Sequence, residues 1–128
     1  MSTLIALNAD LTPAIGQNSV KLSNTDDVLG LALDRVHCIE LEFPQWTDGR
    51  AYSQAWLLRR RRGFRGDIRA TGDLRVDQLL QLRRCGFSSA QFPHPVATST
   101  VERALQAFSG FYQADALHPH ARLLREAA

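Results

Sequence analysis

Short apolar runs and helical stripes take turns along the chain. Residues 3–7 form a β-like apolar run closed by Asn8-Ala9-Asp10, and 11–19 read as loop. Residues 20–22 predict a second short strand. Asn24-Thr25-Asp26-Asp27 then offers capping side chains and first-turn acids, which suit the positive end of a helix dipole. Val28, Leu29, Leu31, Ala32 and Leu33 follow, and together they predict a helix to residue 34. The strongest strand pattern is 36–43, with Val36, Cys38, Ile39, Leu41 and Phe43; Pro44 ends it, because proline cannot donate to a ladder. Its apolar density predicts a central, nearly fully buried strand.

Residues 46–50 turn the chain, with Thr47 or Asp48 as the expected cap of a helix to residue 62. Ala51, Ala55 and Leu58 mark that helix's inner face, and Gly63 stands where a C-terminal glycine belongs. A strand at 67–70 leads through Thr71-Gly72-Asp73 into a helix striped by Val76, Leu79, Leu80 and Arg83 and closed by Gly86. Residues 87–92 are the last strand, broken by Pro93-His94-Pro95. Ser99 and Glu102 form a capping box, and Val101, Ala104, Leu105, Phe108, Phe111 and Tyr112 recur at helical spacing. The alternation predicts an α/β fold: one small domain over 1–115, a mainly parallel four- to five-stranded sheet built of βα repeats, and a tail at 116–128. Ligands of such sheets bind beyond the carboxyl ends of the strands, where the loops 43–50, 70–73 and 93–97 are expected to meet.

Composition narrows the picture. A chain of 128 residues with 45% hydrophobic residues holds one domain and one core. No apolar run is long enough to span a bilayer, and Met1-Ser2-Thr3-Leu4 begins no signal peptide, so a cytoplasmic protein without membrane partners is expected. Cys38 and Cys85 are far apart and form no CxxC, which fits two packed thiols. The net charge is only +2, yet Lys21 is the one lysine among 15 cationic residues. Arginine binds carboxylates and oxyanions with a planar fork, although GC-rich coding produces the same bias without function.

Candidate chemistry gathers at the expected carboxyl edge. Asp48-Gly49-Arg50 combines free amides at a helix start, a flexible glycine and an arginine fork, a set that suits an oxyanion or a partner carboxylate. The competing reading is a helix cap with a surface arginine. Arg69, Gly72 and Asp73 are placed at the same edge, with a tight βα turn as the structural alternative, and Asp77 is expected to pair with Arg69 or Arg50. Trp56, with Tyr52 one turn earlier and Arg59 beside both, forms a candidate partner surface. The run Arg59–Arg62 with Arg65 is read as a solvated helix end complementing the dipole; it brings no nucleic-acid motif, and nucleic acid is disfavoured as a partner. Adjacent His37 and Cys38 point to opposite faces of a strand, and His118-Pro119-His120 lies in the tail, so no metal is expected. No GxGxxG, P-loop or GxSxG is present and no cofactor is implied.

The blocks Glu42-Phe43-Pro44-Gln45-Trp46-Thr47-Asp48-Gly49-Arg50-Ala51-Tyr52-Ser53, Leu57-Leu58-Arg59, Gly66-Asp67-Ile68-Arg69-Ala70-Thr71-Gly72-Asp73, Asp77-Gln78-Leu79 and Arg84-Cys85-Gly86-Phe87 occur in one order. In this the chain resembles bacterial domain-of-unknown-function family 934, which is commonly encoded beside assimilatory sulfite reductase and often given an oxidoreductase label. Ala51 in place of a glycine, Trp56 in place of an arginine, and Ser88-Ser89 in place of an acidic position mark a divergent member. The resemblance implies an accessory protein of assimilatory sulfur metabolism, a non-catalytic partner of sulfite reductase. The rival expectation is a small enzyme or binding protein acting on an oxyanion at the Asp48/Arg50/Asp73 edge.

Overall fold

The computed structural model describes residues 3–7 and 18–106. Five strands alternate with helices: β1 Thr3–Ala6, β2 Ser19–Leu22, β3 Cys38–Phe43, α1 Arg50–Arg60, β4 Asp67–Gly72, a 3-10 turn Val76–Gln78 running into α2 Leu79–Cys85, β5 Ser89–Phe92, and α3 Thr98–Gln106. The sheet order is β1-β5-β4-β3-β2. Strands β2 to β5 are parallel and β1 pairs antiparallel with β5 at one edge. This is the expected small α/β domain with a mainly parallel sheet. The tail at 116–128, the loop at 11–17 and the aromatic end of the last helical stripe lie outside the described residues.

Among the described residues the apolar core lies mainly on one face of the sheet, with Cys38 buried on the other. Ile39, Leu41 and Phe43 of β3, Ile68 and Ala70 of β4, and Ala90 and Phe92 of β5 project to one face and are buried with Ala51, Ala55 and Leu58 of α1 and Leu79 and Leu82 of α2. Phe43 packs edge-on against Tyr52 of α1 with ring centroids 5.1 Å apart and lies 5.9 Å from Phe87. The alternate positions make the second face polar. There the register aligns Lys21 with Glu40, Glu40 with Arg69, and Arg69 with Ser89, so opposite charges stand side by side across the strands.

Four expectations are corrected. The central strand is β4, with β3 one place toward the edge. Nor is β3 nearly fully buried, because Glu42 is exposed and Glu40 half-buried on the polar face. Residues 24–34 form turns rather than a helix. Their acids bond local amides, with Asp26 accepting from the Ser23 N–H at 2.9 Å and Asp27 from the Leu29 N–H at 2.9 Å. The carbonyls a helix would use internally accept instead from α1 and the residues after it. Gln54 donates to Ser23 and Asp26, and Arg62 donates to Val28, Leu29 and Leu31. Val28, almost wholly buried, anchors the loop to the core. At the last helix, α3 begins at Thr98, which places Ser99 inside it rather than at a cap.

The ends of β3 and β4 meet at a tight contact. Gly72 adopts φ +93, and a Cβ there would lie 2.3 Å from the Phe43 carbonyl oxygen. Both the dihedral and the approach require glycine. Gly72→Ala is therefore expected to cost about 2 kcal/mol or more. Urea denaturation followed by tryptophan fluorescence checks this; an unchanged midpoint would show that the turn relaxes freely.

Candidate functional site

The loops after β3 and β4 do come together, and they do so through their acids. Asp73 accepts from the Trp46 N–H at 3.1 Å, and its own N–H donates to the Phe43 carbonyl at 2.8 Å. Asp48 accepts from the Arg50 N–H at 3.1 Å and from the side-chain amide of Asn24 at 2.7 Å. The carboxylate of Asp48 thus occupies the positive N-terminus of α1, the place an external oxyanion would take. Arg50 reaches Asp48 only loosely, at 3.8 Å, and its side chain is 65% exposed. Gly49 precedes the first helical residue, where an added Cβ would make ordinary contact with Tyr52. The Asp48-Gly49-Arg50 and Gly72-Asp73 segments therefore assemble one edge, each acid bonded to backbone.

Two residues assigned to candidate surfaces lie elsewhere. Arg69 is not at this edge. As the third residue of β4 it lies on the polar sheet face, donating to Asp67 at 2.9 Å and to the Ser89 hydroxyl at 3.2 Å. Asp67, almost wholly buried, also accepts from the hydroxyls of Ser88 and Ser89. Arg59 is no partner surface, being only 5% exposed. Its guanidinium donates to the carbonyls of Gly86 at 2.8 Å, Phe64 at 2.9 Å and Gly66 at 2.6 Å. Burial draws its pKa down to about 10, a shift that the charge of Asp67 opposes. The arginine run is a solvated helix end only in part: Arg60, Arg61 and Arg65 are exposed, while Arg59 and Arg62 are spent on backbone carbonyls of three loops. Asp77 forms no ion pair with Arg69 or Arg50 and borders a cleft instead.

What the helical layer does present is aromatic. Trp46 and Trp56 remain 45% and 40% exposed. Each lies under an arginine, with the Arg75 guanidinium 5.5 Å from the Trp46 ring and that of Arg60 5.4 Å from the Trp56 ring. Tyr52 stands between two clefts. One, of about 440 Å³, is lined by Trp46, Tyr52, Arg75, Asp77, Gln78 and Gln81. The other, of about 410 Å³, is lined by Tyr52, Ser53, Trp56, Leu57 and Cys85. Gln78, unassigned in the sequence reading beyond its place in a motif block, ties this region together. Its side-chain amide donates to the Trp46 carbonyl at 3.1 Å and the Tyr52 hydroxyl at 2.8 Å, while its oxygen accepts from the Arg75 N–H at 2.7 Å. A glutamine three residues past a turn gives no sequence signal for this. Burial raises the Tyr52 phenol above its ordinary pKa, so it stays neutral at physiological pH.

The thiols differ in setting. Cys38 is buried on β3, its sulfur 3.8 Å from Asp67 Oδ2. Burial, with the neighbouring Asp67 charge, pushes its pKa to about 11. Cys85 is half-buried at the end of α2 and lines the second cleft. Among the described residues no group of three or more His, Cys, Asp or Glu is placed to hold a metal, and no helix is long and apolar enough to cross a membrane.

Fold and site together define a small α/β domain whose helical side carries arginine-stacked tryptophans and whose carboxyl-edge acids bond its own backbone. Residues 19–123 match the family described as "Bacterial protein of unknown function (DUF934)", and the chain belongs to that family. Neither a curated protein nor a solved structure matches it.

Two outcomes are expected. Arg59→Ala leaves three buried carbonyls without their donor and should destabilise the fold by about 3 kcal/mol or more, with Arg59→Lys recovering only part, as measured by denaturant midpoint. Cys38 should resist alkylation at pH 8 in the folded protein while Cys85 reacts. Because the unfolded thiol ionises near its ordinary value of 9.0 and the folded one near 11, stability should be constant below pH 9 from this group and fall as pH rises toward 11. Removing that alkaline loss by Cys38→Ala identifies the thiol as its source; an identical alkaline profile in the variant would contradict it.

Proposed function

We propose that this protein is a non-catalytic accessory protein of assimilatory sulfur metabolism that docks on sulfite reductase. One observation carries the docking half of this reading: the edge acids are consumed by backbone amides while Trp46 and Trp56 stay exposed beneath arginines. Exposed tryptophan and arginine are the residue types that dominate binding energy at protein interfaces. A general base needs a carboxylate free to meet a proton, and Asp48 and Asp73 are each already engaged. A dithiol redox role would need the two cysteines together, and Cys38 is buried and held protonated on one sheet face while Cys85 lines a cleft on the helical side. The sulfur-metabolic setting and the partner's identity rest on the family resemblance and its gene neighbourhood.

The rival reading is an oxyanion-binding protein or small enzyme at the Asp48/Arg50/Asp73 edge. It is favoured by the exposed Arg50 guanidinium and opposed by the Asp48 carboxylate, which already sits at the helix start. Titration calorimetry separates the two. Purified sulfite reductase from the same host should bind the wild-type protein, and Trp56→Ala should weaken that binding tenfold or more while Arg50→Lys and Asp48→Asn change it little. Saturable binding of sulfite, sulfate or phosphate that is lost in Arg50→Lys, with no binding of the reductase, would establish the rival.

A further inference from the structure

We infer that the cleft between α1 and α2 is a docking groove for a linear, acidic segment of a partner protein that carries one large apolar anchor. The inference deepens the docking reading above by assigning it a surface and a ligand chemistry. The groove's floor is apolar: Tyr52, Trp56 and Leu57 on α1 face Cys85 on α2 around about 410 Å³ of space, room for a leucine or aromatic side chain. Such a side chain would meet ring faces and aliphatic carbon, with the Ser53 hydroxyl as the polar contact of the α1 wall.

Charge selects the flanks of that segment. Neither α1 nor α2 contains an acidic residue, and between them they hold five arginines. Over residues 46–86 there are ten cationic side chains against four acidic ones; with Asp67 and Arg69 paired on the opposite sheet face and Arg59 and Arg62 spent on carbonyls, seven cations face three acids. Arg59 is committed to carbonyls inside the protein, but Arg60 lies across Trp56 at the groove's rim. A guanidinium resting on a ring keeps its planar edge available to a carboxylate while the pair shields the apolar floor. A second copy of the chain is a poor source of those carboxylates. Residues 1–45 are acidic overall, but their Asp26 and Asp27 accept from their own backbone, and the exposed Asp34 and Glu42 stand apart, one in a turn and one on β3, not along one extended segment. An extended acidic peptide has no such prior commitment.

The test pans the full-length protein against a random dodecapeptide library displayed on phage, then titrates the most enriched peptide, synthesised, into wild type, Trp56→Ala and Arg60→Glu. The expected enrichment is Asp/Glu-rich peptides with a single Leu, Phe or Trp. Their affinity should drop at least tenfold in either variant, and the wild-type affinity should weaken with added salt. Circular dichroism confirms that both variants, changed at surface positions, remain folded. Enrichment of neutral or basic peptides, no enrichment, or affinities untouched by both variants would overturn the inference. So would a dimer that Trp56→Ala dissolves in sedimentation experiments, or tighter binding of a thymidine 20-mer than of the peptide. If sulfite reductase binds but ignores both variants, the groove is wrong, and docking stands only with Trp46 in place of Trp56 as its anchor. If acidic peptides bind the groove and the reductase does not, the groove stands and the partner is another protein.

Discussion

The guanidinium of Arg59 is the interaction on which the rest of this structure leans. It sits buried near the C-terminal end of α1 and donates to carbonyls of Phe64, Gly66 and Gly86. Those carbonyls belong to the chain entering β4 and to the cap that closes α2, where Gly86 is left-handed at φ 112. One side chain therefore fixes how α1 returns to the sheet and how α2 hands over to β5. Burying a guanidinium is costly unless its donors are met, and buried carbonyls are costly unless they accept. Nε and Nη1 of Arg59 meet all three carbonyls, while its buried Nη2 has no hydrogen-bond partner among the described residues. Gln54 and Arg62 extend the same device to the loop between β2 and β3, which has no helix of its own to satisfy its backbone.

The consequence for the outer surface is a division of labour among charged residues. Acids that a ligand-binding sheet edge could have offered bond to amides at the surface: Asp48 at the start of α1, Asp73 at the Trp46 turn. Asp67 is turned inward on the other face, among serine hydroxyls and Arg69. Some arginines are spent likewise. What is left outward-facing on the helical layer is a pair of tryptophans with arginines laid over them, around a tyrosine held in place by Gln78. That remainder is shaped for protein contact more than for chemistry on a small molecule.

The two sheet faces differ in the same way. Parallel sheets are ordinarily covered on both faces. Here the second face carries Lys21, Glu40 and Arg69 in cross-strand register, with the exposed Glu42 opposite Thr71, beside the buried Cys38, Asp67 and Ser89. The apolar surface that invites a partner is on the helical side, where Trp56 and Leu57 border open space.

Much of this was legible in the residues themselves. Local pattern determined the strands, α1 with its Ala51/Ala55/Leu58 face, the glycine closures at Gly63 and Gly86, and hence the fold class, because periodicity and backbone constraints act over a few residues and need no distant partner. The exposure of Trp56 followed from the same helical geometry. The helix expected at 24–34 failed because Arg62 and Gln54, some thirty residues away, claim the carbonyls it would have used. Arg59 read as surface because an arginine run looks solvated until the loops that need its donors are folded around it. Arg69 was put at the wrong end of its strand's chemistry because only strand pairing reveals that its neighbours are Ser89 and Asp67. The sequence by itself determined which segments are helix and strand and which side chains could be functional; the tertiary structure decided which of those side chains are already spent, since a hydrogen bond between distant residues leaves no periodic trace in either.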